Sequence, residues 1–358
     1  MRLLLITPKV DPNDDLFGHV HAWVTALARR VERLYVVALW ATDPPLPTNV
    51  RFATLGKQRD DDKLRWLARL QRLVGRLCLG GEVDAVLAHM GPVFAVAAAP
   101  VARLSRTPLF LWYAHGHVSS MLRLAHALVD GVGTSTPEGF RIPSSKVTIT
   151  GQGIDTARFR PPGRPPDGPA SVLSVGRFSP VKDYVTLLDA LGRLPLADSG
   201  VAPSAELVGG VHSASEQVYL ASLRARAADL GLGERVRFVE GLPHARMVPT
   251  YQRATLFATC SRTGSLDKAV LEAAACGVVP LVCNDAFRDL FGERWPALSF
   301  PPGDADALAE RLADWLGRDP AERQSWALEL RARIERQHSV EHLADAIISM
   351  VRRRANSP

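Results

Sequence analysis

The chain of 358 residues contains few cysteines and few aromatic residues. Its four cysteines form no C-x-x-C pair, and each lies in or beside an apolar segment: Cys78, Cys260, Cys276 and Cys283. This usage argues against a disulfide-stapled secreted domain and predicts reduced core thiols in a cytoplasmic protein. Aromatic residues make up 7% of the chain, and no RNA-binding signature or zinc-finger spacing is present. Nucleic acid is therefore not expected as a partner.

Long apolar runs are also missing. The N-terminal stretch MRLLLITPKVD has too short an apolar part for a signal peptide and predicts a buried first strand. The one tempting membrane span, residues 85–104, carries His89, Pro92 and Pro100. These residues favour a buried strand, a turn and a buried helix over a transmembrane helix.

The bulk composition bounds the remaining choices. A hydrophobic content of 47% in 358 residues is enough for about two packed domains. The net charge of +6 favours an anionic partner, such as a phosphorylated small molecule or an anionic lipid surface.

Short strand-like runs alternate with longer helical patterns along most of the chain, which predicts parallel sheets covered by helices on both faces. In the first half the predicted strands are 3–7, 34–39, 85–89, 108–114 and 146–150, and the predicted helices are 18–31, 62–79, 92–105 and 118–129. In the second half the predicted strands are 171–175, 205–209, 235–239, 255–259, 279–283 and 297–300.

The alternation is interrupted once, by the segment RPPGRPPDGP. Prolines cannot continue a helix or a central strand, so residues 161–169 are predicted to be a linker between domains 1–160 and 170–338. Residues 339–358 are predicted to form a C-terminal helix that packs back on the first domain. The fold class expected is α/β, with two doubly wound, Rossmann-like domains facing each other across a ligand-binding cleft.

Two cations follow the first strand of the second domain. The strand 171–175 ends at Gly176 and Arg177, and Lys182 lies shortly before the next helical pattern. A helix N-terminus attracts anions, and a guanidinium and an ammonium group together match the charge of more than one phosphate. The alternative interpretation is a solvated loop.

A second segment of the same kind is CSRTGSLDKAVLEAAACGVVPLVCND, residues 260–285. It predicts a turn at Gly264, an N-cap at Ser265 and a helix that ends at Gly277. Glu272 lies in the otherwise apolar part of this helix, where a carboxylate is costly unless it meets donors. Ribose hydroxyls are such donors, and an internal salt bridge is the alternative.

The stretches SVGRFSPVKDYVTLLDAL, GQGIDTARFRP, RVRFVEGLPHARMVPTYQRATLFATCS and LEAAACGVVPLV together resemble the family 4 retaining glycosyltransferases, which have the GT-B fold. The resemblance is dense from about residue 107 to 320. It implies transfer of a sugar from a nucleotide-diphosphate sugar to an acceptor hydroxyl, in polysaccharide or glycolipid assembly. The acceptor would be a glycan or a lipid-linked glycan.

The resemblance also implies roles for single residues. Arg177 and Lys182 would bind the donor diphosphate, and Glu272 would hold the ribose. The turn Gly241–Leu242–Pro243 would hold the base through its backbone, and the amides of Gly264, Ser265 and Leu266 would approach the distal phosphate and the sugar. His115 would face the donor sugar, with His117 as the alternative, and the acceptor-side loop would include Gly18 and His21.

Two residues depart from the family pattern. Gly264 replaces a glutamate that would contact the transferred sugar, and Asp267 or Lys268 are candidates to replace that contact. Asp183 replaces the glycine that commonly follows the diphosphate lysine. Its charge suits the helix dipole and opposes a bound anion.

No cofactor and no metal are expected. Aspartates spaced as in metal-dependent transferases occur at 60–62 and at Asp304–Asp306, but the first lies in a charged loop and Asp304 resembles an N-cap. No carboxylate is placed as a nucleophile, so front-face attack is expected.

Two functions are alternatives to a glycosyltransferase. They are a degenerate GT-B subunit that binds nucleotide sugar or a partner without catalysis, and a nucleotide-sugar epimerase.

The segment KLRWLARLQRLVGRLCL predicts a basic amphipathic helix. Its arginines recur at helical spacing, and a tryptophan accompanies them. Such a helix can lie on an anionic membrane, which would place the protein peripherally on the inner face. The alternative is a solvated face over a core.

Overall fold

The computed structural model describes residues 1–40, 43–57, 62–163, 169–194 and 203–355. The chain divides into two units. The first comprises Met1–Asp155 and the C-terminal segment from Gln337 onward, and the second comprises Thr156–Arg336. The division thus precedes the predicted linker at 161–169, of which residues 164–168 lie outside the described residues.

The first unit is built on a parallel sheet of seven strands in the order β3-β2-β1-β4-β5-β6-β7. The strands are β1 (Arg2–Thr7), β2 (Arg33–Ala38), β3 (Val50–Thr54), β4 (Ala85–His89), β5 (Leu109–Trp112), β6 (Gly131–Thr134) and β7 (Val147–Ile149). The helices preceding the second unit are α1 (Val20–Ala28), α2 (Lys63–Leu79), α3 (Pro92–Leu104) and α4 (Ser120–Leu128). Apolar side chains on both faces of the sheet form two buried clusters.

The second unit contains a parallel sheet of five strands in the order β10-β9-β8-β11-β12. The strands are β8 (Ser171–Val175), β9 (Ser204–Gly209), β10 (Val236–Glu240), β11 (Leu256–Thr259) and β12 (Val279–Val282). The helices are α5 (Tyr184–Arg193), α6 (Ala214–Asp229), α7 (Met247–Arg253), α8 (Lys268–Ala275), α9 (Arg288–Phe291), α10 (Trp295–Leu298), α11 (Ala305–Gly317) and α12 (Pro320–Gln337).

The last helix, α13 (Val340–Ala355), belongs to the first unit. The Ser339 hydroxyl accepts from the His342 amide at 3.2 Å and so caps its start. Leu343 and Ile347 are fully buried in the same core as α1. At the surface, Arg30, which follows α1, donates to the Asp345 carboxylate at 2.7 Å.

Most predicted strands are present within a residue or two, and three predictions about elements were wrong or incomplete. Strands β3 and β6 were not predicted, since VRFAT is half exposed and GVGT contains two glycines. Residues 297–300 do not form a strand, because α10 ends at Leu298 and Ser299 makes only an isolated bridge to Val282.

The helix α2 carries its tryptophan inward. Trp66 is 8% exposed and packs edge-on against Phe94, with 6.4 Å between ring centroids. Trp66 is therefore a core residue, and contact of α2 with a membrane stays a prediction. Within the described part of the chain, no helix combines the length and the apolar character that a bilayer crossing requires.

The four cysteines are buried free thiols, as predicted. Burial raises the pKa of Cys276 to about 12 and that of Cys283 to about 11. Both side chains therefore remain uncharged thiols at neutral pH, which suits core packing rather than nucleophilic chemistry.

Each sheet has one point at which the strand order reverses. It lies between β1 and β4 in the first unit and between β8 and β11 in the second. In doubly wound sheets ligands bind outside the carboxyl ends of the strands at this point. The loops that leave these four strands are therefore the expected location of a ligand-binding site.

Candidate functional site

Two loops leave the switch point of the second unit. Residues 176–183 connect β8 to α5, and residues 260–267 connect β11 to α8. Because β8 and β11 are neighbouring parallel strands, both loops emerge at the same edge. The first loop carries Arg177 and Lys182, and the second carries Arg262 and Asp267.

Gly176 makes room for the predicted diphosphate lysine. A Cβ atom at position 176 would lie 2.9 Å from Cε and 3.2 Å from Cδ of Lys182, so the aliphatic part of the lysine passes directly over the glycine. The Tyr184 hydroxyl donates to the Gly176 carbonyl at 2.6 Å and holds the same turn from the start of α5. The loop therefore fixes the position from which the ammonium group projects.

Each of the three cations at this edge contacts a carboxylate. Arg177 donates to Glu216 at 3.3 Å, and Arg262 donates to Asp183 at 2.7 Å. Lys182 forms an ion pair with Asp267, and these two side chains are only 15% and 13% exposed. Arg177 is about half exposed. A bound anion would have to share or displace these contacts, most of all at Lys182.

Asp183 adopts a left-handed backbone conformation, with φ of 48° and ψ of 49°. Glycine adopts this conformation at least cost, and aspartate is one of the residues that tolerate it. The Asp183 carboxylate accepts from the Thr186 hydroxyl at 2.9 Å and from Arg262. Its charge is thus held by local donors, which limits its repulsion of an anion at the same edge.

Glu272 is 5% exposed, and both of its carboxylate oxygens have donors. Oε1 is 2.9 Å from His244 Nε2, and Oε2 accepts from the Tyr251 hydroxyl at 2.8 Å. Burial raises the pKa of Tyr251 well above its ordinary value and Glu272 adds to that rise, so Tyr251 stays a donor. The internal pairing weighed as an alternative is therefore present. A carboxylate has about four acceptor positions, so these two contacts do not exhaust Glu272. Contact with ribose stays a prediction.

Two buried polar atoms near these loops have no hydrogen-bond partner among the residues that the structure describes. They are the Ser179 hydroxyl, in the loop after β8, and His244 Nδ1, in the loop after β10. Buried polar groups in folded proteins are nearly always paired with protein, water or ligand. Both orphan atoms lie in loops at the carboxyl edge of the sheet.

The helix that carries Glu272 starts later than predicted. Its N-cap is Asp267 and its first residue is Lys268, so the expectation that Ser265 caps the helix was wrong. The Ser265 carbonyl instead accepts from the Asn284 side chain at 2.8 Å, while Gly264 has φ of 65° and Leu266 is buried. The segment 264–266 is therefore an ordered loop in front of the helix.

Lys268 stands at the first position of α8. Burial lowers the pKa of Lys268 to about 8, against the opposing effect of Glu272 and Asp267. Asp267 is engaged by Lys182. Because the Asp267 carboxylate is already engaged, Lys268 is the favoured candidate to replace the missing glutamate at 264.

The turn predicted to hold the base follows β10. Gly241 has φ of 64°, its amide donates to the Gly209 carbonyl at 3.0 Å, and Leu242 is half-buried. Gly209 itself approaches the neighbouring loop closely, since a Cβ there would lie 2.0 Å from the Gly176 carbonyl oxygen. The turns after β8, β9 and β10 are thus packed backbone to backbone.

The first unit contains His115, predicted to face the donor sugar, and the acceptor-side candidates Gly18 and His21. His115 is exposed in the loop after β5, and its Nδ1 accepts from the His117 amide at 3.2 Å. Gly18 is buried just before α1, while His21 lies within α1, where its Nε2 is 2.6 Å from the Pro45 carbonyl oxygen. The roles assigned to these residues stay predictions.

The residues at the switch point of the first unit were not among the predicted site residues. Thr7 ends β1 and His89 ends β4, and the Thr7 hydroxyl lies 2.8 Å from His89 Nδ1. His19 packs against His89, with 6.2 Å between ring centroids. Polar residues at the carboxyl ends of two predicted strands were the available signal. In the second unit, Arg262 and His244 also lie in loops after predicted strands and were not predicted as site residues.

Nowhere in the described ranges do three or more His, Cys, Asp or Glu side chains form a group that could hold a metal ion. Asp304 caps α11, as predicted, by accepting from the Ala307 amide at 2.9 Å. Asp62 caps α2, and residues 60 and 61 lie outside the described residues.

Together these features define an α/β protein with two Rossmann-like units, each with its candidate residues at the carboxyl edge of a parallel sheet. This is the GT-B architecture. The family model of the glycosyl transferases group 1 matches residues 155–334, half of the chain, and the chain belongs to this family.

Two curated relatives illustrate the sequence similarity. The D-inositol 3-phosphate glycosyltransferase of Acidothermus cellulolyticus is 33% identical over 142 residues, which cover 37% of this chain and 32% of the relative. D-inositol 3-phosphate glycosyltransferase 1 of Catenulispora acidiphila is 26% identical over 331 residues, 76% of each chain. The chain thus matches about a third of the first relative's length and about three quarters of the second.

Solved structures share the fold over the whole chain. Anabaena HepE, crystallised with UDP and glucose, superposes with a TM-score of 0.77 and 19% identity, covering 99% of this chain and 100% of HepE. Sucrose-phosphate synthase from Thermosynechococcus elongatus gives a TM-score of 0.75 and 19% identity, covering 98% of each chain. At this identity the similarity establishes the fold alone.

Proposed function

We propose that the protein transfers a sugar from a nucleotide-diphosphate sugar to an acceptor hydroxyl. The observation that carries this proposal is that the cations of the loops after β8 and β11 lie at the switch point of the second unit with the buried carboxylate of Glu272, inside the segment that matches the family. Arg177, Lys182 and Arg262 suit a diphosphate, and Glu272 suits ribose hydroxyls. HepE, crystallised with UDP and glucose, has the same fold, which supports a nucleotide-sugar donor.

The cations have a role in the chemistry as well as in binding. As the bond from the anomeric carbon to the phosphate oxygen breaks, negative charge develops on the departing diphosphate. Cations at that position stabilise it once the diphosphate has displaced their carboxylate partners. We therefore propose that the reaction needs no metal ion and no cofactor, because the released cations supply the charge that a divalent cation would supply.

We propose front-face transfer with retention, as in the family that the motifs resemble. The acceptor oxygen bonds to the anomeric carbon on the face from which the diphosphate leaves, and the acceptor proton passes to a phosphate oxygen of the leaving group. Lys268, rather than a glutamate at 264, is the side chain proposed to contact the transferred sugar. Its pKa of about 8 allows it to act as a donor at neutral pH.

The acceptor is proposed to be a glycan or a lipid-linked glycan in the cytoplasm. Relatives include a GDP-mannose-dependent alpha-(1-6)-phosphatidylinositol monomannoside mannosyltransferase of Mycolicibacterium smegmatis, 28% identical over 254 residues. The outer face of α2 offers exposed Arg65, Arg72 and Arg76 for peripheral contact with an anionic membrane. Arg69 is directed elsewhere, since it donates to the Leu55 carbonyl at 2.8 Å.

A second candidate function is nucleotide-sugar binding without catalysis. The observation that favours it is the pairing of each cation with a carboxylate, Lys182 with Asp267 above all. A degenerate donor site would keep the fold and lose the free charge.

A turnover assay distinguishes these functions. The protein is incubated with UDP-, GDP- and ADP-sugars, with and without a lipid-linked glycan acceptor, and release of nucleoside diphosphate is measured. A transferase releases nucleoside diphosphate, an epimerase changes the sugar, and a binding module does neither while still being stabilised thermally by the donor. NMR of the product then reads the anomeric configuration.

The variant Arg177→Ala with Lys182→Ala should abolish turnover. The matched control is Arg193→Ala with Arg226→Ala, which removes two cations of the same unit that are also paired with carboxylates, Asp306 and Asp189. Normal turnover in the first variant would show that the donor site is elsewhere.

A further inference from the structure

The first unit contains a cavity of about 290 Å³ at the edge where β5, β6 and β7 begin. The ends of α3 and α4, the residues just before these strands and Arg354 of α13 line it. All strands of this sheet are parallel, so this edge is opposite to the one that carries His115 and the Thr7–His89 pair. The cavity is therefore separate from the edge at which the switch point lies.

The lining is strongly basic. It contains four cations and one carboxylate: Arg103, Arg106, Lys146, Arg354 and Asp130. The Asp130 carboxylate accepts from the Leu109 amide at 2.7 Å. Lys146 donates to the carbonyls of His126 and Val129, at 3.2 and 2.9 Å, and so caps the end of α4. These two side chains thus have structural roles of their own.

The arginines are less committed. Arg103 and Arg106 are exposed at the cavity, and neither side chain makes a hydrogen bond or ion pair with any residue in the described ranges. Arg354 donates to the Ser145 carbonyl at 3.2 Å, which uses one of its five N–H groups. Three guanidinium groups around one cavity repel each other, and an anion bound among them would relieve this repulsion.

We propose that Arg103, Arg106 and Arg354 form a binding site for a phosphate group. Guanidinium forks bind phosphate oxygens in pairs, and the volume lies at the lower end of small-molecule pockets, so the ligand is compact. The phosphate is carried either by a soluble phosphorylated molecule or by an anionic lipid headgroup. Leu104, which is 75% exposed and lies between Arg103 and Arg106 in the sequence, would meet the bilayer in the second case.

The test uses inorganic pyrophosphate and vesicles as probes. Pyrophosphate binding is measured by titration calorimetry on a chain that carries Arg177→Ala and Lys182→Ala, so that the proposed donor site does not contribute. Vesicle binding is measured by co-sedimentation, with phosphatidylglycerol and phosphatidylcholine mixed or phosphatidylcholine alone. The test variant adds Arg103→Gln and Arg106→Gln, and the matched control adds Arg51→Gln and Arg123→Gln, two exposed arginines of the same unit.

We expect the test variant to bind one probe at least about tenfold more weakly, because two charge-assisted contacts are lost, while the control binds as the parent does. A loss for pyrophosphate identifies a soluble phosphate, and a loss confined to phosphatidylglycerol vesicles identifies a lipid headgroup. Arg354→Gln should reproduce the loss, and circular dichroism checks that each variant folds. Absence of binding to either probe, or equal losses in test and control variants, would overturn the proposal.

Discussion

The ion pair between Lys182 and Asp267 leads to a prediction with an unusual sign. Replacing an acidic residue in the donor site, Asp267→Asn, should strengthen binding of a nucleoside diphosphate. In the free protein the carboxylate occupies one side of the ammonium group, and both side chains are largely shielded from water. A diphosphate that binds Lys182 must therefore approach a fixed negative charge.

The size of the effect follows from Coulomb's law. A carboxylate and a phosphate on opposite sides of one ammonium group lie about 7 Å apart, and at an effective dielectric constant of about 20 they repel by roughly 2 kcal/mol. Part of this is screened by salt. We expect a gain of about 1–2 kcal/mol, or roughly five- to thirtyfold tighter binding.

The assay is calorimetric titration of nucleoside diphosphate into the wild type and the variant at two salt concentrations. The matched control is Asp189→Asn, which removes a carboxylate paired with Arg226 on the surface of the same unit. Without ligand, Asp267→Asn should lower the melting temperature, because a shielded ammonium loses its partner. Binding that is unchanged or weaker in Asp267→Asn would refute the reasoning that Lys182 receives the diphosphate.

Three further predictions address other parts of the molecule. Gly176→Ala should weaken diphosphate binding about tenfold, because the new Cβ would collide with the Lys182 side chain. Gly233→Ala is the control, since no atom lies within 4 Å of its new Cβ. Titration of nucleoside diphosphate checks both variants. Glu272→Gln should reduce the preference for ribonucleotides over 2′-deoxynucleotides, and an unchanged preference would contradict ribose contact. Burial lowers the pKa of His338 from 6.5 to about 4. The free energy of unfolding should therefore fall by about 2–3 kcal/mol as the pH drops from about 6.5 to 4. His338→Phe should reduce this pH dependence, as measured by urea denaturation.

The strands and helices of this fold could be predicted where burial requires a clear pattern of apolar residues in the sequence. Strands such as Ala85–His89 and Ser171–Val175 are short apolar runs bounded by turn residues, and the structure has them at the predicted positions. The edge strand β3 and the glycine-rich β6 lack that pattern, because their pairing depends on neighbouring strands rather than on their own composition.

The site was predictable in its cations and not in their partners. Gly176, Arg177 and Lys182 stand together in the sequence at the end of one strand, so their position could be inferred from local pattern. Asp267 lies 85 residues from Lys182, and no local pattern reports a contact between loops of two different strands. The same applies to Glu272, whose buried position was predicted while its donors, His244 and Tyr251, were not.

The central claim is that the second unit binds a nucleoside diphosphate through the loops after β8 and β11. Its most direct test is equilibrium titration of UDP, GDP and ADP into the wild type and into the variant with Arg177→Ala and Lys182→Ala. We predict saturable binding of at least one of the three to the wild type, lost in the variant and kept in the Arg193→Ala, Arg226→Ala control. Equal binding to all three proteins would contradict the assignment.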